Sequence, residues 1–186
     1  MTTIDIHLNI GSNSGHREAL IERAVAAVSS AFPDVEIKCS DIIETAPWGF
    51  ESPNPFLNIG MMLRTTEIPH NIADESDITE NKSARERFAL DVLMVIQEIQ
   101  SGIDPSPHRD AQGRYIDRAI DIDLIAINDW VIDHPSLTLP HPRMHMRDFV
   151  LRPLAQLDPE WCHPTSGLKA VELLDVLYRD SSENKP

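Results

Sequence analysis

Residues 118–127 read Arg-Ala-Ile-Asp-Ile-Asp-Leu-Ile-Ala-Ile, and this stretch restricts the fold more than any other in the chain. In an extended strand successive side chains point to opposite faces. Asp121 and Asp123 therefore share one face, while Ile120, Ile122 and Leu124 cover the other. Ile125 and Ile127 then replace carboxylate with hydrocarbon on the first face, so the strand runs from a polar mouth into a core. Two carboxylates roughly 7 Å apart on one face repel unless something positive lies between them. Mg²⁺ suits such a pair, because it takes one or two carboxylates and leaves its other positions to water and phosphate. A solvent-facing edge strand would carry acids too, but its flanks would be more polar than these. The pair reads as a metal site.

The rest of the composition narrows the partners. Sixteen basic residues against thirty acidic ones give a net charge of −14, which disfavours nucleic acid and anionic membrane. Two cysteines, Cys39 and Cys162, make no disulfide framework and suit a reducing cytoplasm. Residues 1–9 lack the pattern of a secretion signal, and no apolar run is long enough to span a bilayer. The length predicts one domain, residues 1–178, with residues 179–186 a frayed polar tail.

Taken in order, alternation over Ile4–Ile10 predicts a strand, and residues 11–15 turn into a helix over His16–Phe32. A second strand is expected over Val35–Ile43. The loop 44–55 holds three prolines beside Trp48 and Phe50, the composition of a binding lid. Phe56–Thr66 reads as a third strand, and residues 67–82 as a mobile acidic loop without chemistry of its own. Ser83-Ala84-Arg85-Glu86 has the pattern of a capping box opening a helix that Gly102 closes. A polar loop, Ile103–Gly113, leads to a strand over Tyr115–Ile127. Asn128-Asp129 is expected to turn Trp130–Ile132 back onto it. An extended piece at Leu137–Leu139, a helix over Phe149–Leu157 interrupted at Pro153, and a helix over Leu168–Leu177 complete the chain.

The first six elements run strand, helix, strand, strand, helix, strand. That order predicts an α+β fold, a ferredoxin-like βαββαβ antiparallel sheet with both helices on one face, plus a C-terminal hairpin and helices. It puts Asp121 and Asp123 on a middle strand. Neither a Walker A loop nor G-x-G-x-x-G occurs, and His141-Pro142-Arg143-Met144-His145 lacks the helix and glutamate of a zinc hydrolase. Arginines at 109, 114, 118, 143 and 147 crowd around the carboxylates of an otherwise acidic protein. Metal and guanidinium together suit phosphoryl chemistry.

These residues resemble a known family. Asp121-Ile122-Asp123-Leu124 after Arg118, Leu139-Pro140-His141-Pro142-Arg143-Met144, and Arg147–Leu154 look like 6-hydroxymethyl-7,8-dihydropterin pyrophosphokinases of folate biosynthesis. Gly11-Ser12-Asn13, Glu44–Gly49 and Phe56-Leu57-Asn58 match in the same order, so that the resemblance spans residues 4–177. It implies transfer of pyrophosphate from ATP, the co-substrate, to the hydroxymethyl group of the pterin, releasing AMP. It further implies two Mg²⁺ ions on Asp121 and Asp123, and a pterin between Phe56 and Phe149 with its edge on Asn58, Thr45 and Trp48. ATP would lie on Glu98, Arg118, Thr138, His141 and Arg147.

The chain departs from the family at Ile116-Asp117, where Gly-Pro is usual. The loop 103–114 also departs, with its arginines late, and Arg109 is the expected clamp on ATP. The implied partners are small molecules, with a monomer compatible with the sequence. Two rival readings are a non-catalytic ferredoxin-like module that binds a metabolite, and another metal-dependent nucleotidyltransferase.

Overall fold

The computed structural model describes residues 3–66 and 81–183. Strand β1 (Ile4–Ser12) buries Ile4, Ile6, Leu8 and Ile10 beneath helix α1 (Arg17–Ala31), which answers with Ile21, Ala24 and Val28. Strands β2 (Glu36–Cys39), β3 (Ile43–Thr45) and β4 (Phe56–Thr65) follow, then helix α2 (Lys82–Ile103) and strand β5 (Asp121–Ile127). Together the strands make one antiparallel sheet in the order β2–β4–β1–β5, with β3 also paired to β4. Helices α1 and α2 pack on one face, where Phe88, Val92 and Ile96 join the core. Helix α3 (Asp148–Leu157) lies across the other face and α4 (Ala170–Glu183) packs against α3, enclosing a second core of Ile125, Met144, Leu151, Leu154, Trp161 and Leu173. No helix among the described residues is long and apolar enough to cross a membrane.

Several expectations are corrected. Asp121 and Asp123 lie on an edge strand, because β5 pairs only with β1 among the described residues. The strand begins at Asp121 rather than Tyr115, since residues 115–120 make isolated backbone bonds and side-chain bonds to Asn13 and Asp104 instead of a continuous ladder. Residues 130–132 do not fold back on β5. Strand β6 (Ile132–His134) pairs with β7 (Leu137–Leu139) as a separate ribbon, and Trp130 turns to pack edge-on against Phe88, centroids 5.8 Å apart. Asn128, in the left-handed region at φ 44°, instead finishes the β1–β5 ladder: its side-chain oxygen accepts the Asp5 N–H at 2.7 Å. The strand expected over Val35–Ile43 is broken at Ser40, whose hydroxyl takes the Gly60 N–H in place of a backbone carbonyl.

Helix α2 is capped by Asn81, not by the Ser83 box, with Asn81 Oδ1 accepting from the amides of Ser83 and Ala84. Gly102 lies inside that helix, which ends one residue later, and Asp104 caps it. Pro153 sits within α3 without interrupting it, and α4 continues to Glu183, past the tail expected from residue 179. The acidic loop 67–82 lies, but for its last two residues, outside the described chain.

A bulge explains the faces of β5. Leu8 pairs with Leu124 and His7 with Ala126, leaving Ile125 as the extra residue. Beyond it the faces exchange, so Ile127 joins the α1–α2 core and not the carboxylate face. The unpaired Ile125 carbonyl accepts the His141 N–H at 2.8 Å. The sheet approaches α3 most closely at Gly60, where a Cβ would lie 2.5 Å from Pro153 Cβ and 3.2 Å from Leu157 Cδ1. Gly60→Ala should therefore destabilise the fold by about 1–3 kcal/mol through overpacking. Gly102→Ala, with nothing within 4 Å of the added methyl and a helical position, should be neutral or stabilising. Urea midpoints of the two variants check the contrast.

Candidate active site

The site is built across three strands. Asn58 on β4 faces Gly11 on β1, which faces Asp121 on β5; one step along, Gly60, Asn9 and Asp123 make the next row. A Cβ at Gly11 would lie 2.9 Å from Asn58 Oδ1 and 3.4 Å from Phe56 Cδ1, so a side chain here would push the amide and ring out of place. Asn58 is held from the other side, its Nδ2 donating to Thr45 Oγ1 at 3.0 Å.

Each carboxylate has its own arginine. Arg118 Nη2 lies 2.9 Å from Asp121 Oδ2, and Arg147 Nη1 lies 3.0 Å from Asp123 Oδ2. His108 Nδ1 stands 3.5 Å from Asp121 Oδ1. Burial raises the Asp123 pKa, and the neighbouring Asp121 charge raises it further; Arg147 and Arg118 offset this only in part. Burial acts on Asp121 too, but the His108 contact and the Arg118 charge outweigh it and hold that carboxylate below its ordinary range. About a quarter of each carboxylate side chain remains open, 24% and 28%, at the floor of a cleft. The Nε atoms of Arg118 and Arg147 and Oδ1 of Asn9 are buried with no hydrogen-bond partner among the described residues. Unsatisfied groups of this kind at a cleft floor are suited to a polar ligand.

Two cavities meet at the carboxylates. One is an aromatic slot walled by Trp48, Phe50, Phe56, Tyr115 and Phe149, with Thr45, Asn58, Arg118 and Arg147 also in its lining. The second, of about 890 Å³, is more polar and lies between α2, β5 and the β6–β7 ribbon. Gln97, Gln100, Thr138 and His141 line it, and Asp121 and Asp123 line both cavities. No group of three or more His, Cys, Asp or Glu is assembled among the described residues. Two carboxylates with open neighbouring space fit Mg²⁺, which is completed by water and phosphate, and do not fit a closed zinc cage.

The structure brings together Thr45, Trp48, Phe56, Asn58, Phe149, Arg118, Arg147, Asp121 and Asp123 in the slot, and Thr138 and His141 in the adjoining cleft. Glu98 does not join them. It is exposed on α2, and Leu93, Gln97 and Gln100 are the residues of that helix that line the cleft. Arg109 is also elsewhere, stacked 3.9 Å from the Tyr115 ring centroid and donating to the Gly113 carbonyl at 2.7 Å. His108 is the loop residue that reaches Asp121. Sequence reasoning missed Phe50, whose ring meets Phe56 edge-on at 6.2 Å and Tyr115 at 6.3 Å. Its place in the aromatic loop was the available signal. His108 and Gln100 carried none, because nothing local distinguishes them.

A family model described as 7,8-dihydro-6-hydroxymethylpterin-pyrophosphokinase (HPPK) matches residues 7–95 and 89–159. The chain belongs to the HPPK family. It is 34% identical over 160 residues to the 2-amino-4-hydroxy-6-hydroxymethyldihydropteridine pyrophosphokinase of Porphyromonas gingivalis, covering 86% of this chain and 93% of that protein. The Bacillus subtilis HPPK of the same name is 30% identical over 151 residues, covering 81% and 76%. Among solved structures, an HPPK-DHPS in complex with substrates shares the fold, with a TM-score of 0.68 at 14% identity. That match covers 99% of this chain but 45% of the larger one.

His141, in the polar cleft of this HPPK fold, has its pKa pushed down to about 4 by burial and by the charges of Arg147 and Arg143. Its Nδ1 accepts the Arg143 N–H at 3.2 Å, so the neutral ring carries its proton on Nε2, facing outward as a donor. The folded pKa lies below that of the free ring, so the unfolded chain binds more protons as pH falls. His141 therefore withdraws stability as pH drops from about 6.5 to about 4. His141→Asn should flatten the pH dependence of unfolding across that window, and an NMR titration of the wild-type ring should show no midpoint above pH 5.

Proposed function

We propose that the chain transfers the terminal pyrophosphate of ATP to the hydroxymethyl group of 6-hydroxymethyl-7,8-dihydropterin, releasing AMP, in folate biosynthesis. The observation that carries this reading is the meeting of two unlike cavities at one carboxylate pair. A flat heterocycle suits the aromatic slot, where Phe56 and Phe149 offer faces and Asn58 and Thr45 offer a donor–acceptor edge. A nucleoside triphosphate suits the polar cleft, with Thr138 and His141 Nε2–H as donors. The phosphates would then lie over Asp121 and Asp123, between the acceptor hydroxyl and the nucleoside.

In this reading Asp121 and Asp123 hold two Mg²⁺ ions. Metal held there would supply positive charge to offset that of the transferring phosphates. The protein's own part is positioning. The slot orients the hydroxyl toward the β-phosphorus; a bond forms there as the bond to the α–β bridging oxygen breaks and AMP leaves. Arg118 and Arg147, paired with carboxylates in the ligand-free protein, exchange those partners for phosphate oxygens, and their unpaired Nε groups give each a second donor. Tyr115 stacks Arg109 above this region, so a clamp by Arg109 requires release of that contact. The chain acts as a single ferredoxin-like domain in the cytoplasm, and the strand order β2–β4–β1–β5 supports that fold. A monomer suffices, since both cavities are lined by one chain. Both rivals are less well supported, because neither needs a slot and a cleft that share one carboxylate pair.

Asp121→Asn and Asp123→Asn should each lower kcat by about a thousandfold or more, given several kcal/mol of charge stabilisation, while far-UV circular dichroism stays unchanged. AMP release from ATP, Mg²⁺ and the pterin reads this directly, and near-normal turnover by either variant would exclude the metal assignment. Phe149→Ala should weaken pterin binding by about 1–3 kcal/mol with little effect on a non-hydrolysable ATP analogue. Calorimetric titration of both ligands distinguishes this from a core role, for which both affinities would fall together.

A further inference from the structure

Asp117 stands outside every role assigned so far, yet two separate parts of the site converge on it. Asn13, in the turn after β1, donates its Nδ2 to Asp117 Oδ1 at 2.6 Å. Asn54, at the far end of the aromatic loop, donates its Nδ2 to Asp117 Oδ2 at 2.5 Å. Each carboxylate oxygen thus serves one amide. Asn13 is itself 2% exposed and fully committed. Its Oδ1 accepts the Arg118 N–H at 2.9 Å, its own N–H donates to the Arg118 carbonyl at 3.2 Å, and its Nδ2 also reaches the Asn54 carbonyl at 3.3 Å. Burial alone would raise the Asp117 pKa, but bonds from Ser52, Asn54 and Asn13 and the Arg118 charge keep it low and ionised at neutral pH.

The geometry points to Asp117 as a positioning residue that ties the aromatic lid, residues 46–55, to the backbone of Arg118, so that closure of the slot and alignment of the phosphate-facing guanidinium occur together. The chemistry supports coupling rather than simple bracing. An ionised carboxylate is an acceptor only, and its donors come from two segments, Asn13 in the turn after β1 and Ser52 and Asn54 in the lid. Charge-assisted bonds are stronger and shorter than neutral ones, and here both segments draw on the same charge. The lid is also held at its foot, where Arg17 Nη1 donates to the Pro55 carbonyl at 2.7 Å, and by ring contacts, with Phe50 against Tyr115 and the Arg147 guanidinium 5.0 Å from the Trp48 centroid. Beyond that foot, Asn54 is the lid residue bonded to the arginine strand, and Trp48 and Phe50 lie further out on the same loop. Without Asp117 the foot stays fixed while the aromatic part loses its link to Arg118.

This inference rests on reading the slot as the pterin site, so its test has one arm that needs no ligand. In ligand-free protein, acrylamide quenching reports Trp48, because Trp130 and Trp161 are buried at 4% and 7% exposure and Trp48 is only half-buried. Asp117→Ala and Asn54→Ala should both raise the quenching constant, with melting temperatures close to that of the wild type. With ligands, Asp117→Ala should weaken pterin binding about tenfold, the loss typical of a charged hydrogen bond, and also slow the single-turnover step. Asn54→Ala should weaken pterin binding while leaving the single-turnover rate at saturating pterin near normal, because the Asn13–Arg118 bonds survive. Unchanged quenching in both variants would overturn the proposal, as would equal loss of pterin and ATP-analogue affinity with a lowered melting temperature. If wild-type protein binds no pterin while quenching still rises in both variants, the tie stands and the functional reading fails instead.

Discussion

The pairing of two carboxylates with two arginines is the interaction on which the site depends. Like charges about 7 Å apart repel by about 2 kcal/mol at an effective dielectric near 20, whereas opposite charges about 4 Å apart attract by about 4 kcal/mol. Two arginine contacts therefore more than offset one acid–acid repulsion, and the group closes without net charge. The surroundings follow from this need. Arg147 must arrive from the segment before α3, so α3 has to cross the sheet close by, and Gly60 leaves room for it. Arg118 must sit three residues before Asp121 with its backbone fixed, and Asn13 fixes it. In an acidic chain of net charge −14, basic side chains have been concentrated where acids had to be kept close together.

The placement of β5 at a sheet edge gives those carboxylates two exposures. A central strand has neighbours on both sides, so its polar groups open only above the sheet. At an edge the same two side chains are reached from the face, through the aromatic slot, and from the side, through the cleft beside the β6–β7 ribbon. The edge is not left as a free ladder. Gln100 Oε1 accepts the Ile122 N–H at 2.7 Å, and the His141 amide takes the Ile125 carbonyl. Side-chain and loop groups thus occupy edge positions that another strand would otherwise fill.

What was legible in the sequence was whatever a short period or a clustered motif can express. Alternation marked β1, helical spacing marked α1 and α2, and Asp121 and Asp123 announced themselves by sharing a face with no polar company. The aromatic loop and the histidine and arginine motifs near the third helix converge as expected. The errors have a common physical origin, because they concern groups whose role is set by a distant partner. Ser40 breaks a strand by bonding Gly60, Asn128 ends one by bonding Asp5, and Asn81 displaces Ser83 as a cap because its side chain reaches two amides. Glu98 and Gln97 are neighbours on one helix, and a rotation of one residue decides which meets the cleft. The bulge at Ile125 is likewise silent in the sequence, since only pairing with β1 reveals that one residue is surplus.

Asp104 carries a consequence of a different kind. One of its oxygens accepts the Ser106 N–H at 3.0 Å and the other accepts the Ala119 N–H at 2.9 Å, so the excursion between α2 and β5 leaves and returns at the same side chain. Above this closed base the loop meets the site through His108, Asp117 and Arg118, while residues 109–114 form an outer turn bonded chiefly within itself. The entropic cost of lengthening it grows only logarithmically. Residues can be added or removed within that outer turn while Asp121 keeps its register against Gly11. The outer turn between α2 and β5 is in that sense an interchangeable part, free to vary in length and in the placing of its arginines without moving the strand beneath it.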